Sequence, residues 1–456
     1  MKPLHGVSQL RLRSLFVVGE LLLIATLAFI ASQRELALVL LIPLGIGTIF
    51  TFLRWPSLGL IVASLAGLVV PLYGPSGLNV TMVLIALLLG LWLLDMMANQ
   101  HQIRLAPSRT VWPLLAFLIV AVFSFGLGQL PWFTFALHAP LGAQLGGLAI
   151  LALSAGTFLL VANQVQDLRW LSRLTWAFLA LGAVSVLVRS LLPALGLPTR
   201  NLFQQVGPVF YIWLVAMALS QALFNQELHR GWRLILMGLV LVTIYVLFVI
   251  KFGDKSGWLS VFICIATIIV TRSWRAGLAL IPFGALSALY MWTRVISTDE
   301  YSISTRFDAW SIMAQIIKIS PIWGLGFANY YWYTPLFPIR GYAVSFNSHN
   351  NYVDIVAQTG LVGLLCLLWV WWELGQLGWR LRNQVPAGFA QAYVYGALGG
   401  LAGMVAAGML GDWVLPFFYN IGLTGFRSSM IGWLFLGGLV SLEQMVINQK
   451  LIVAPK

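Results

Sequence analysis

Ser345 to Leu365 read SFNSHNNYVDIVAQTGLVGLL. The segment changes character at Asn351. Before it stands a polar run with one histidine, His349, flanked by Ser348 and Asn350; after it, apolar residues continue to about Leu374. A run of roughly 20 apolar residues crosses the ~30 Å hydrocarbon core of a bilayer. The segment therefore reads as a polar lip on a membrane-crossing helix. Ser348 or Asn350 is placed to cap that helix. His349 then falls in the first turn, where the positive end of the helix dipole disfavours an imidazolium by ~0.3–1 kcal/mol. A ring kept neutral can take a proton from a hydroxyl, which is general-base work. The other reading is a surface histidine anchoring the helix at the interface.

The rest of the chain extends this pattern. Of its 456 residues 60% are hydrophobic and 9% charged, against about 25% charged in soluble domains. Fourteen apolar stretches stand out, over 14–32, 35–53, 57–73, 78–97, 110–128, 142–162, 171–192, 204–224, 232–250, 257–271, 275–293, 351–374, 390–411 and 427–447. The expected fold is an all-α polytopic membrane protein of about 12–14 transmembrane helices. It forms a single membrane domain over 1–456, because no polar stretch is long enough to bury a core of its own. The net charge of +13 does not point to nucleic acid, since the cations come in ones and twos at helix ends. Pairs such as Arg104 and Arg109, Arg169 and Arg173, Arg230 and Arg233, and Arg380 and Arg382 fall on alternate loops. The positive-inside rule puts those loops, and both termini, in the cytoplasm. The first apolar stretch has no small-residue cleavage site after it and reads as an uncleaved helix. Cys264 and Cys366 lie inside apolar spans and read as buried thiols.

This topology leaves one long loop, 294–350, outside the cytoplasm. It is rich in Tyr, Trp, Phe and Pro, and long ordered loops are usually functional. Thr305 with Asp308 resembles a capping box, and Phe307, Trp310, Met313, Ile316 and Ile317 recur at helical spacing. An amphipathic interfacial helix is expected over 305–319, stopped by Ser320 and Pro321. Arg306 at its start would make an anion site of guanidinium and helix N-terminus, or else face lipid headgroups. Lys251 and Lys255 sit on an earlier outer loop, against the positive-inside bias; a diphosphate is one reason for them, and pairing with Asp254 or lipid phosphate is another. Further outer cations are Arg189, Arg200, Arg340 and Arg427. Asn350, Asp354, Arg340 and Tyr330 are candidates for contact with an acceptor or its sugars, with Asp354 equally placed to pair with an arginine. The sequence holds no GxxxxGK[ST], HExxH or CxxC. No metal and no cofactor is expected from its scattered histidines and few carboxylates.

In order along the chain, Thr305-Arg306-Phe307-Asp308-Ala309-Trp310, the segment Pro321 to Asn329 (PIWGLGFAN), Ser348-His349-Asn350 and Gln358-Thr359-Gly360-Leu361-Val362-Gly363 resemble the O-antigen ligase and O-antigen polymerase superfamily. The likeness covers roughly 250–370. It implies an inner-membrane enzyme of the bacterial envelope that moves a glycan from an undecaprenyl-diphosphate carrier to an acceptor hydroxyl, by inversion and without a metal. It implies His349 as the base and Arg306 on the donor diphosphate. The family's second arginine, in a Ser-Arg-Gly element, is replaced here by Asp254-Lys255-Ser256-Gly257. Members take either a lipid-anchored core sugar or a second lipid-linked repeat as acceptor. A transporter or flippase of lipid-linked oligosaccharides is the alternative from a different class; it would set cations and broken helices near the bilayer midplane.

Overall fold

The computed structural model describes residues 45, 47–71, 73–197, 203, 206–251, 254–291 and 300–449. The apolar stretch 14–32, and most of 35–53, lie outside the described residues. The chain divides into two compact units, Met1–Gly59 and Leu60–Lys456, and, the first turn of α1 apart, all that follows concerns the second. The described residues are 75% helical, with no strand among them. Its principal helices are α1 (Pro56–Val69), α2 (Val80–Asp95), α3 (Val111–Leu127), α4 (Leu141–Gln164), α5 (Leu168–Val186), α6 (Pro208–Phe224), α7 (Arg230–Tyr245), α8 (Lys255–Arg272), α9 (Trp274–Met291), α10 (Glu300–Ile317), α11 (Asn351–Leu381), α12 (Phe389–Leu410) and α13 (Phe426–Ile447). Among the described residues seven helices are long and apolar enough to cross a membrane, and α3, α6 and most of α8 are apolar but shorter. This is an all-α polytopic membrane protein.

Polar residues at the helix starts explain where the chain turns. Asn79, Asp167, Asp254 and Asn350 each accept a hydrogen bond from a backbone N–H of the first turn, meeting donors that a helix leaves unpaired. The bundle closes through small residues. A β-carbon on Gly400 would stand 2.7 Å from the Trp213 ring, one on Gly403 2.7 Å from Ile212, and one on Gly399 2.4 Å from Ile268. That face lets α12 lie directly on α6 and α8, and α6 is buried along nearly its whole length.

The segment that decides the architecture is α11. It is broken at Gly360, whose φ of +70° and ψ of −177° are open in practice only to glycine. The loop after α10 fills the break. Leu325 and Gly326 donate to the carbonyls of Ala357 and Gln358, and Leu361 and Val362 donate to those of Pro321 and Ile322. The backbone groups freed by the break are thus paired within the protein, as burial requires. Asn329 fixes the same loop: its amide donates to Gly128 and Leu325, and its oxygen accepts from Ala139 N.

Two expectations for this region are corrected. The helix expected over 305–319 runs from Glu300 to Ile317, so Thr305 does not cap it and Arg306 is not at its N-terminus. Its buried face is Ala309, Ile312, Met313 and Ile316, packed into the core, while Phe307 is 62% exposed. Met313 and Ile316 of the expected face lie on that buried face, and Phe307 does not.

Candidate functional site

Arg306 and His349 line one cavity of about 320 Å³, with Thr305 beside them and Ala309, Ile339 and Phe346 as its apolar wall. Arg306 comes from α10, in its second turn. Its guanidinium donates to the carbonyl of Leu410 (Nη1–O 3.2 Å), the last residue of α12. It therefore meets the negative end of one helix rather than crowning the positive end of another.

His349 lies outside α11, just before the N-cap Asn350, in a left-handed conformation with φ +50°. Histidine enters this region more readily than most side chains. Partial burial first, and the Arg306 charge second, lower its pKa below the ordinary histidine value. That shift favours the neutral ring, through the cavity wall first and a neighbouring cation second.

The remaining sequence candidates are distributed as follows. Asn350 caps α11, its oxygen accepting from Tyr352 N and Val353 N. Arg340 pairs with Asp308 at 2.7 Å and donates to Ser304 Oγ at 2.7 Å, so Asp308 serves this bridge and not a capping box. Lys251 lines a different cavity, of about 420 Å³, together with Asp254, Trp413, Asn420 and Arg427. Its Nζ donates to the Tyr211 hydroxyl at 2.9 Å and lies over that ring. Asp254 accepts from Gly257 N and Ser256 Oγ as the cap of α8. Lys255 opens α8, and its side chain is not among the described positions.

Tyr330 and Asp354 do not face the His349 cavity. They are 0% and 1% exposed and bond each other, the Tyr330 hydroxyl donating to Asp354 Oδ1 at 2.6 Å. Burial first, then Asp354, pushes the Tyr330 phenol well above its usual pKa, so it stays a donor. The neighbouring aromatics pack on one another: Tyr330 stacks on Phe417, Tyr331 on Tyr419, and Trp332 Nε1 donates to the Tyr419 hydroxyl. Their ring faces are largely taken up by one another.

Three residues hold the site together in roles the sequence did not show: Trp310 and Asn351, noted there only as helix-face and polar-run residues, and Asp412. Trp310 on α10 donates through Nε1 to the carbonyl of Ser348 at 2.8 Å, tying the Arg306 helix to the His349 turn. Asn351 accepts from Val414 N and donates to Leu415 O, lacing α11 to the loop after α12. Asp412 in that loop accepts from Phe417 N and Asn420, and burial raises its pKa. The signal available was the density of polar residues in Asn347 to Asn351, more than one helix cap needs.

No curated protein matches the chain. Residues 206–368, a segment that carries Arg306 and His349, match the family model described as O-antigen ligase.

Proposed function

We propose that the protein transfers a glycan from an undecaprenyl-diphosphate carrier to an acceptor hydroxyl at the outer face of the bacterial inner membrane. The family match supports glycan transfer in O-antigen biosynthesis. The observation that carries the finer reading is the shared cavity: a guanidinium and a neutral imidazole line one opening, brought there by two different elements. The acceptor hydroxyl attacks the anomeric carbon from the face opposite the diphosphate. His349 takes its proton as the new glycosidic bond forms. The bond from the anomeric carbon to phosphate oxygen breaks, and undecaprenyl diphosphate leaves with that electron pair. Arg306 stabilises the charge gathering on the leaving phosphate. Inversion at the anomeric carbon follows from one displacement.

Alternating Arg and Lys pairs support cytoplasmic termini and a cavity open to the periplasm. The transporter reading is disfavoured by the break at Gly360. Its backbone groups are paired with the 321–326 loop, whereas a transport site would turn such groups toward an ion or substrate. Of the two acceptor classes, the ligase reading, a single transfer to a lipid-anchored sugar, is adopted; polymerisation onto a second lipid-linked repeat is the runner-up.

The test is reconstitution in vesicles with an undecaprenyl-diphosphate glycan, offering each acceptor and sizing the product. One transfer is expected, and a ladder of products would convert the reading to polymerase. His349→Ala is expected to abolish transfer with donor binding retained. Full activity of that variant would remove the base from the mechanism.

A further inference from the structure

His349 holds φ +50°, a conformation that costs a residue with a β-carbon ~1–2 kcal/mol. Such backbone persists only where its surroundings over-determine it. Ser348 supplies the constraint. It is fully buried. Its Oγ accepts from Asn350 N at 3.0 Å and directs its one proton toward Asp354 Oδ1 at 2.6 Å, with Asn350 O at 2.9 Å, while its carbonyl accepts from Trp310 Nε1 at 2.8 Å. The residue before the base is therefore held by its side chain and its backbone, from both flanking helices.

Asp354 is an expensive group for this place. Its carboxyl is buried on the protein side of α11, and its Oδ2 has no hydrogen-bond partner among the described residues. An acid so placed destabilises the fold unless its contacts repay the desolvation. Its one engaged oxygen, Oδ1, receives two hydroxyls, from Tyr330 and Ser348. Neither Asp354 nor Tyr330 lines the cavity; Tyr330 bonds Asp354, and Asp354 bonds Ser348, the residue before the base.

We propose that Asp354 and Tyr330 are positioning residues: they fix Ser348, and through it aim the His349 imidazole into the cavity that Arg306 shares. The proposal rests on the reading of His349 as the base. Trp310 makes the same anchor common to both walls, so the base and the cation keep one spacing. Displacement of a catalytic group by ~1 Å can cost about 10²-fold in rate.

The experiment measures kcat, donor KM and the pH profile in reconstituted vesicles for Ser348→Ala, Tyr330→Phe, Asp354→Asn and His349→Ala, with folding checked by thermal unfolding in detergent. Asn at 354 keeps an oxygen acceptor and Ala removes it, so Asp354→Ala, measured beside it, is expected to lose at least tenfold in kcat and D354N less; a folded D354A with wild-type kcat would overturn the proposal. S348A is expected to lose at least tenfold in kcat with donor KM within twofold and the acidic limb of the profile unmoved. Y330F, which leaves the Ser348 bond in place, is expected to lose less. A folded S348A with wild-type kcat would overturn the proposal, as would an S348A defect found only in KM. If S348A misfolds, Y330F decides, since it removes one hydroxyl from a site it otherwise fills: unchanged kcat overturns the proposal. A fully active H349A would instead sink the base reading, whatever the other variants do.

Discussion

Gly360→Ala tests how the site is built. The substitution meets two separate penalties. The first is conformational: φ +70° with ψ −177° lies in a region essentially confined to glycine, which costs another residue ~1–3 kcal/mol. The second is steric. The new β-carbon would stand 2.0 Å from the carbonyl oxygen and 2.2 Å from the carbonyl carbon of Ile322. Those are backbone atoms, held by the hydrogen bonds that stitch the loop into α11, and they cannot swing aside as a side chain would. Overpacking of this kind adds ~1–3 kcal/mol, so the total is roughly 2–6 kcal/mol. Gly341→Ala separates the two terms. Its φ is +85°, but nothing lies within 4 Å of the added carbon, so it carries the backbone penalty alone, ~1–2 kcal/mol. The assay is thermal unfolding in detergent alongside the transfer rate. G360A is expected to unfold at a clearly lower temperature than G341A and to lose transfer, because the loop it displaces leads into Tyr330. Equal stability of the two variants would refute the stitched break.

Three further outcomes are expected. Asn350→Asp keeps an oxygen acceptor at the start of α11 and adds charge of the sign that a helix N-terminus favours, so thermal stability should hold. The new carboxylate beside His349 favours the imidazolium, so the acidic limb of transfer should move to higher pH. Arg340→Gln breaks a half-exposed ion pair with Asp308, worth ~0–1 kcal/mol, and should leave both unfolding temperature and transfer near wild type in the same two assays. Gly400→Val sets bulk where a β-carbon already approaches the Trp213 ring to 2.7 Å; it should abolish recovery of folded protein on size exclusion.

Much of the fold was legible because apolar runs ended by caps are a strong signal. The stretch read over 142–162 is Leu141–Gln164, 390–411 is Phe389–Leu410, and 427–447 is Phe426–Ile447. What misled was local resemblance. Thr305 to Asp308 has the pattern of a capping box, but four residues cannot tell a helix start from the second turn of a helix already under way. The break at Gly360 was invisible, since a glycine in an apolar run reads equally as a close helix contact. The pairing that marks it as a break comes from Pro321 to Gly326, about forty residues away. His349 was singled out by its polar surroundings; the burial and the α10 charge that favour its neutral form are not visible in its sequence neighbours. Tyr330 and Asp354 looked like sugar contacts from their residue types; their burial follows from the packing of Phe417 and Tyr419, which no spacing in the sequence shows.

The most direct test of the central claim is the pH dependence of kcat/KM in wild type, Arg306→Lys and Arg306→Gln. The Arg306 charge lowers the pKa of His349, and the base works only when neutral, so the acidic limb reports that ring. Removing the charge raises the pKa, and transfer by Arg306→Gln should then be lost at a higher pH than in wild type. Arg306→Lys should keep the limb near its wild-type position. Profiles with the same acidic limb in all three proteins would contradict a shared cavity in which this guanidinium faces this imidazole.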